Sequence, residues 1–173
     1  MPKIEVAWDS YIAETTHRLS DGLLLASLDP EGKPNVMAIG WGGVGVVWSR
    51  PMFIALVRHS RYTHECIEAT GDFTVNIPSA DMSEVVNFCG SVSGRDHDKF
   101  AECGFTVGQS RTITSPYIDE CELVYECKVV QCTDVVPENF APDIIDECYP
   151  SGDFHRIYFG QILRTIAEED FTG

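Results

Sequence analysis

The sequence MFIALVRHSRYT, residues 52–63, joins a continuous apolar run to a cluster of hydroxyl groups and cations. The apolar part, residues 52–57, has the length and composition of a buried strand. Residues 62–70 suit a short helix that Gly71 ends, and residues 72–77, followed by Pro78, return to a strand. The segment therefore predicts strand, helix and strand in succession, with the cationic cluster where the helix begins.

The cluster at residues 58–63 is chemically suited to an anion. Backbone N–H groups at a helix start lack intrahelical partners, and an arginine adds a planar fork of donors that matches phosphate oxygens. A purely structural alternative stands beside this one: Ser60 or Thr63 caps the helix, and Arg61 reaches an acidic neighbour. The residues alone leave both interpretations open.

Strand-like segments dominate the rest of the chain. Apolar runs occupy residues 23–28, 35–39, 123–136 and 154–167, and the turn residues 29–34 separate the first two. Residues 80–103 are predicted to be mainly helical, with Gly90 and Gly94 as breaks. Because strands outnumber helices and adjoin through short turns, we predict a mainly β protein, a small barrel with helical insertions, in a single domain over residues 1–173.

Composition narrows the classes of partner. The chain carries 12 Lys and Arg against 27 Asp and Glu, a formal charge of −15, which disfavours nucleic acid and anionic membranes. No apolar run approaches the ~20 residues that a membrane helix needs. The seven cysteines form no CxxC pair, and the first residues, MPKIEVAWDS, lack a secretory pattern, so we expect a cytoplasmic protein. No metal-binding motif is present in the sequence.

Residues 40–45, GWGGVG, match the GxGxxG pattern of dinucleotide-binding proteins. That fingerprint requires a helix to begin within the glycines, whereas the residues that follow, VVWSRP, are extended in character and closed by Arg50 and Pro51. The pattern therefore favours a backbone that passes close to a flat ligand, or a glycine bulge without a ligand, over a dinucleotide fold.

A second dense polar stretch, SVSGRDHDKF, covers residues 91–100. It pairs the hydroxyl of Ser93 with the cations of Arg95 and Lys99 beside a glycine. Such a stretch can supply further donors to an anionic or carbonyl-rich ligand. It is equally compatible with a solvated turn held by internal ion pairs.

Five segments in this order and spacing resemble the flavoredoxin branch of the flavin reductase-like proteins. They are NVMAIGW at 35–41, SRP at 49–51, RxSRYT at 58–63, TGDFTVNIP at 70–78 and SGRDxDKF at 93–100. The resemblance spans nearly the whole chain. It implies a split β-barrel that binds flavin mononucleotide (FMN) and forms a homodimer.

The resemblance also implies roles for residues. The stretch that lines the isoalloxazine ring, largely through backbone groups, comprises Asn35, Val36, Met37, Ala38, Ile39, Gly40 and Trp41. The phosphate-binding turn comprises Ser60, Arg61, Tyr62 and Thr63. Lys99 corresponds to a basic residue near the flavin, with Ser93 as a further donor. Many relatives carry Gly-Asp-His where this chain has Gly152-Asp153-Phe154-His155, so a flavin contact and a satisfied core or surface histidine are both open for His155.

Phe171 is a candidate aromatic cover for the ring or for the partner subunit, with a frayed tail as the alternative. No catalytic side chain is expected, because a flavin carries out the redox chemistry itself. Two functions follow: an NAD(P)H-dependent flavin reductase, and an FMN-containing electron carrier that exchanges electrons with a redox protein. A third possibility is a barrel that binds another flat ligand and carries out no redox chemistry.

Overall fold

The computed structural model describes residues 2–172 and is mainly β with helical insertions, as predicted. The strands are β1 Lys3–Glu5, β2 Leu23–Leu28, β3 Pro34–Ile39, β4 Gly42–Val47, β5 Arg50–Arg58, β6 Asp72–Ile77, β7 Val107–Gly108, β8 Tyr117–Ile118, β9 Leu123–Asp134 and β10 His155–Glu168. The helices are α1 Ile12–Arg18, α2 Tyr62–Thr70, α3 Ser83–Ser91, α4 Lys99–Cys103 and α5 Pro142–Cys148. Three short 3₁₀ helices cover Leu19–Asp21, Ala80–Met82 and Pro137–Asn139.

One antiparallel sheet of eight strands forms the body of the molecule. Its order is β3-β2-β6-β9-β10-β5-β4, with β1 added on β10, while β7 and β8 pair separately. Because β5 and β6 are not neighbours in this order, α2 connects them across the sheet. The sheet order also leaves β3 as an edge strand, paired only with β2.

Two apolar clusters fill the two faces of the sheet. The larger cluster lies inside the barrel and includes Leu25, Phe53 and Tyr125, and the smaller one packs β2 and β3 against α3 and α4. The strand β2 contributes to both clusters, which explains why its run of residues is continuously apolar instead of alternating. Tertiary packing on both faces therefore stabilises the strand beside the candidate site.

The predicted strand, helix and strand at residues 52–77 are confirmed. Gly71 ends α2 in the left-handed conformation, with φ of 72°, and its N–H donates to the carbonyl of Ile67. A residue with a Cβ pays a steric penalty in this conformation, so glycine is the natural helix terminator here. The left-handed conformation costs residues other than glycine about 1–2 kcal/mol.

The glycine-rich stretch is a strand, as the sequence context indicated. Residues 42–47 form β4, so no helix begins there to receive a dinucleotide. The stretch is not closed at Arg50 and Pro51, which instead begin β5 and pair with β4. The turn lies at Trp48 and Ser49, whose φ values of 51° and 58° match a tight hairpin turn.

Other expectations need correction. Gly90 is not a helix break but lies inside α3, where a Cβ would come within 3.3 Å of the Cβ of Ala38. The helices α1 and α5 were not predicted, because neither segment carries a clear periodic pattern. None of the helices among residues 2–172 is long and apolar enough to cross a membrane.

Candidate functional site

A continuous groove runs along β3 and past the start of α2. It consists of two adjoining cavities, with empty volumes of about 500 and 510 Å³, which share Met37, Ala38 and Arg61 in their walls. The first cavity is further lined by Ser60, Tyr62, Thr63, Cys89, Gly90, Val92, Ser93, Gly94 and Lys99. The second is further lined by Ile39, Gly40, Trp41, Leu56, Arg58 and His155. Eleven of the fourteen predicted site residues therefore meet in one groove.

The start of α2 leaves backbone donors free. Arg61 is the N-cap residue in extended conformation, and no side chain caps the helix. The hydroxyl of Ser60 donates to Asp153 Oδ2 at 2.6 Å, and Thr63 Oγ1 accepts a hydrogen bond from Asn35 Nδ2 at 2.9 Å. Within residues 2–172 the backbone N–H groups of Tyr62 and Thr63 have no acceptor, so they are available to a ligand.

The guanidinium of Arg61 is also free. Across residues 2–172 it forms no hydrogen bond or ion pair, so the acidic neighbour of the structural alternative is not there. Its positive charge instead acts on Lys99 and His155, lowering the pKa of each after the larger effect of burial. In a chain with a net charge of −15, an unpaired arginine beside other cations marks a place for an anion.

Lys99 closes one end of the first cavity. Its side chain is buried, and Nζ donates to the carbonyls of Cys89 at 2.9 Å and Val92 at 3.0 Å, at the C-terminal end of α3. Burial lowers the pKa of this amine. Because an ammonium has three N–H donors, one remains for a ligand in the groove.

Backbone groups line the middle of the groove. The strand β3 has a free edge, and Met37, Ala38 and Ile39 face the cavities there. Free N–H and C=O groups on such an edge can bond a planar ligand. Gly90 and Gly94 allow the wall of the cavity to pack closely on β3 and α2: a Cβ at Gly94 would overlap Oδ1 of Asn35 and lie 3.0 Å from the ring of Tyr62.

Three predicted site residues do not line the groove. Asn35 is buried and braces the start of α2 through Thr63, and Val36 packs in the smaller apolar cluster. Phe171 lies outside the groove and is not a frayed tail. It packs in the barrel core, with its ring centroid 4.8 Å from that of Tyr11, and its carbonyl accepts a hydrogen bond from the Tyr11 hydroxyl.

The second cavity contains a group that sequence reasoning missed. The guanidinium of Arg58 donates to the carbonyls of Cys148 and Asp153, at 3.2 and 2.6 Å, and lies 5.9 Å from the ring centroid of Trp41 and 5.1 Å from that of Tyr149. Arg58 is the first residue of the cationic cluster at residues 58–63, and that position was the only signal of this role. It joins the wall of the groove to the segment that precedes β10.

His155 is both satisfied and part of the groove. Its Nδ1 lies 2.7 Å from the hydroxyl of Tyr149, and its ring centroid is 5.1 Å from that of Trp41. Burial, together with the positive charges of Arg58 and Arg61, lowers the pKa of His155 to about 4. The ring is therefore neutral at ordinary pH and offers no charge to a ligand.

The seven cysteines are all free thiols, in agreement with their irregular spacing. Cys89 lines the first cavity, and its sulfur atom lies 3.9 Å from the sulfur atom of Cys103. Burial raises the pKa of the Cys89 thiol to about 12. The thiol is therefore protonated at ordinary pH and is a poor nucleophile.

Fold and site together define a class of protein: a β-barrel in which an edge strand and a cationic helix start line one groove. The chain belongs to the flavin reductase like domain family, whose model matches residues 16–172. This match confirms the predicted resemblance to the flavin reductase-like proteins. It also confirms the split-barrel fold that the chain shares with its relatives.

Solved structures agree with this assignment. The flavoredoxin of Methanosarcina acetivorans superposes with a TM-score of 0.71 at 31% identity, over 88% of this chain and 70% of that one. The flavoredoxin of Desulfovibrio vulgaris (Miyazaki F) gives a TM-score of 0.70 at 25% identity, over 86% and 69%. An uncharacterized protein of Archaeoglobus fulgidus is 34% identical over 99 residues, 57% of this chain and 55% of its own length. The chain thus spans about half the length of that curated relative.

Proposed function

We propose that the groove binds FMN and that the protein is an oxidoreductase, an NAD(P)H-dependent flavin reductase. The observation that carries this proposal is the set of unpaired donors at the start of α2, the guanidinium of Arg61 and the amides of Tyr62 and Thr63. They suit a phosphate group, and the family of the chain supports FMN as the molecule that bears it.

The residues of the groove divide between the two ends of the cofactor. The phosphate end is held by Ser60, Arg61, Tyr62, Thr63 and Ser93, and the ring end by Met37, Ala38, Ile39, Gly40 and Trp41. When bound, FMN supplies hydride and single-electron chemistry. The free amides of β3 donate to the ring edge and stabilise negative charge there, while Lys99 adds a positive field.

The phosphate assignment is tested with Arg61→Ala. We expect the variant to lose roughly 10- to 100-fold in FMN affinity, since a hydrogen bond to a charged group contributes about 1.5–3 kcal/mol, and to lose much less for riboflavin, which has no phosphate. Quenching of flavin fluorescence measures the affinity for FMN and the affinity for riboflavin. Arg50→Ala is the matched control, because Arg50 is exposed and bonds Gln161 outside the groove. Equal losses for FMN and riboflavin would contradict the proposal.

The electron donor is a separate question. Oxidation of NADH or NADPH in the presence of added FMN supports the reductase. The alternative is an FMN-containing carrier, favoured by the net charge of −15, which would speed encounter with a basic redox protein. Failure to oxidise either nucleotide, with reduction by a ferredoxin-type donor, would select the carrier. A colourless protein that binds no added FMN would instead select a non-redox ligand.

We further propose that the protein is a cytoplasmic homodimer. The free edge of β3 and the open side of the groove are surfaces that a second subunit can cover. Sedimentation at micromolar concentration tests the dimer, with and without FMN. A single monomeric species under both conditions would contradict the proposed homodimer.

A further inference from the structure

A separate apolar cleft adjoins the groove. Its empty volume is about 690 Å³, and Trp41 and Leu56 line both this cleft and the second cavity. Nine described residues line the cleft, and none of them carries a charge. The cleft therefore opens beside the region that we assign to the ring of FMN, but its chemistry differs from that of the cationic groove.

The floor of the cleft lies on the β4–β5 hairpin. Gly43 and Ile54 face each other in the register of these two strands and both line the cleft. A Cβ placed on Gly43 would meet no atom within 4 Å, so the glycine leaves open space where other residues would project a side chain. The floor is thus a shallow apolar surface with room for a flat molecule.

The outer wall is the α5 segment, with Ile144 and Tyr149 on its inner side. Arg58 fixes this wall by its hydrogen bonds to the carbonyls of Cys148 and Asp153. The hydroxyl of Tyr149 is already bonded to His155. The indole N–H of Trp41 has no partner among residues 2–172, and it is a donor that a carbonyl oxygen can use.

These features select the ligand. Phosphate or carboxylate groups would find no donor set in the cleft, so a nicotinamide dinucleotide cannot be held there by its phosphates. Aromatic walls and an apolar floor attract planar apolar surface. A subunit contact is less well matched, because the cleft is concave and continuous with the groove, whereas the exposed side chains of Val46 and Trp48 lie outside it.

We propose that the cleft binds a planar, uncharged conjugated carbonyl compound of the quinone class, which accepts electrons from the flavin. This proposal rests on the proposed function. In the step, the quinone would take up two electrons and two protons, all supplied by the neutral, fully reduced flavin, and would become a hydroquinone, while the flavin would return to its oxidised form. Trp41 lines both the groove and the cleft and would contact both ligands.

The test uses menadione, an uncharged naphthoquinone, and measures its binding by calorimetry to the flavin-free and the FMN-loaded protein. Gly43→Leu should weaken menadione binding by roughly tenfold or more, because the new side chain fills the cleft. Gly45→Leu is the matched control: Gly45 lies two residues further on the same strand, a Cβ there also meets no atom within 4 Å, and it does not line the cleft. Its menadione affinity should match that of the wild type.

A second variant guards against misfolding. Ile144 is 38% exposed, so Ile144→Glu is tolerated sterically and places a charge in the cleft, which should also weaken menadione binding. Leu163→Glu, at a residue that is 40% exposed and outside the cleft, is its control. The anionic 1,4-naphthoquinone-2-sulfonate should bind the wild type less tightly than menadione.

The outcomes separate this proposal from the proposed function. If menadione binding is unchanged in both cleft variants, or is absent while FMN binds normally, the proposal of a quinone site in the cleft is wrong. Conversion of a wild-type dimer to a monomer by Gly43→Leu and Ile144→Glu would make the cleft a subunit contact and would also overturn it. If the wild-type protein binds menadione but does not bind FMN, the proposed function is contradicted instead.

Discussion

The charges around Glu126 and those around Arg61 differ in whether the protein itself satisfies them. Glu126 is fully buried and accepts hydrogen bonds from Thr112, from the amide of Arg111 and from Arg164 at 2.8 Å. The guanidinium of Arg61 has no such partner within residues 2–172. A satisfied charge stabilises the fold, whereas an unsatisfied one in a groove is a feature for binding a ligand.

The two regions also differ in their effect on the pKa of their groups. Burial acts to raise the pKa of Glu126, but the hydrogen bonds from Thr112, Arg164 and Arg111 outweigh it, and the pKa lies below its ordinary value. In the groove, burial and neighbouring cations act in the same direction and lower the pKa of Lys99 and of His155. An anion bound in the groove would oppose that effect.

Breaking the satisfied region should have the largest effect. In Glu126→Gln a neutral amide would face the donors of Arg111 and Thr112, and Arg164 would lose its buried carboxylate partner and keep only the exposed Glu5. We expect a loss of about 3–5 kcal/mol in the free energy of unfolding, as for other broken buried pairs. Denaturant titration measures it. Glu31→Gln, in an exposed pair with Lys33, is the control and should change stability by less than ~1 kcal/mol.

The opposite pattern is expected for Arg61→Ala. Its free energy of unfolding without flavin should stay within about 0.5 kcal/mol of the wild type, because surface substitutions away from special features have small effects. The variant should, however, gain less stability than the wild type when FMN is added, because ligand stabilisation follows affinity. A destabilised flavin-free variant would show that Arg61 is a structural residue.

Lys99 has hydrogen bonds within the protein, like Glu126, and also lines the groove, like Arg61. Lys99→Met keeps an apolar stem but removes the two hydrogen bonds to the end of α3, so we expect a loss of about 1–2 kcal/mol in stability. FMN affinity should fall as well, since a positive charge is removed from the groove. Thermal unfolding with and without FMN separates the two effects. Loss of stability without any loss of FMN affinity would assign Lys99 to the fold alone.

The smallest effect concerns His155 and pH. Because its folded pKa of about 4 lies below the unfolded value of 6.5, the unfolded chain binds more protons between these pH values. Stability from this residue is therefore fully present above pH 6.5 and is lost as pH falls towards 4. At pH 5.5, one unit below the unfolded pKa, we expect this loss to be about 1 kcal/mol. In His155→Gln the unfolding free energy should vary less over this range, and an unchanged pH profile would contradict the assignment.

Several parts of the fold and site were predictable because their signals are local. The apolar run at residues 52–57, the helix that Gly71 ends and the cationic cluster between them each depend on neighbouring residues, and all three are confirmed. The long runs rich in Val, Ile, Tyr and Phe also identified β9 and β10 as strands. In contrast, α5 has only seven residues and buries none of them, and its C-terminal end is tied to β5 by the hydrogen bond from Arg58 to the carbonyl of Cys148.

The sequence by itself determined the mainly β class, the strand, helix and strand around residues 52–77 and a concentration of donors at the start of α2. Only the tertiary structure decided that Arg58 and His155 meet as partners in the β5–β10 register, that Asn35 and Val36 point away from the groove, and that Phe171 enters the core. The physical reason is range. Turns, caps and strand propensities act between near neighbours, whereas strand register and burial depend on residues far apart in the chain.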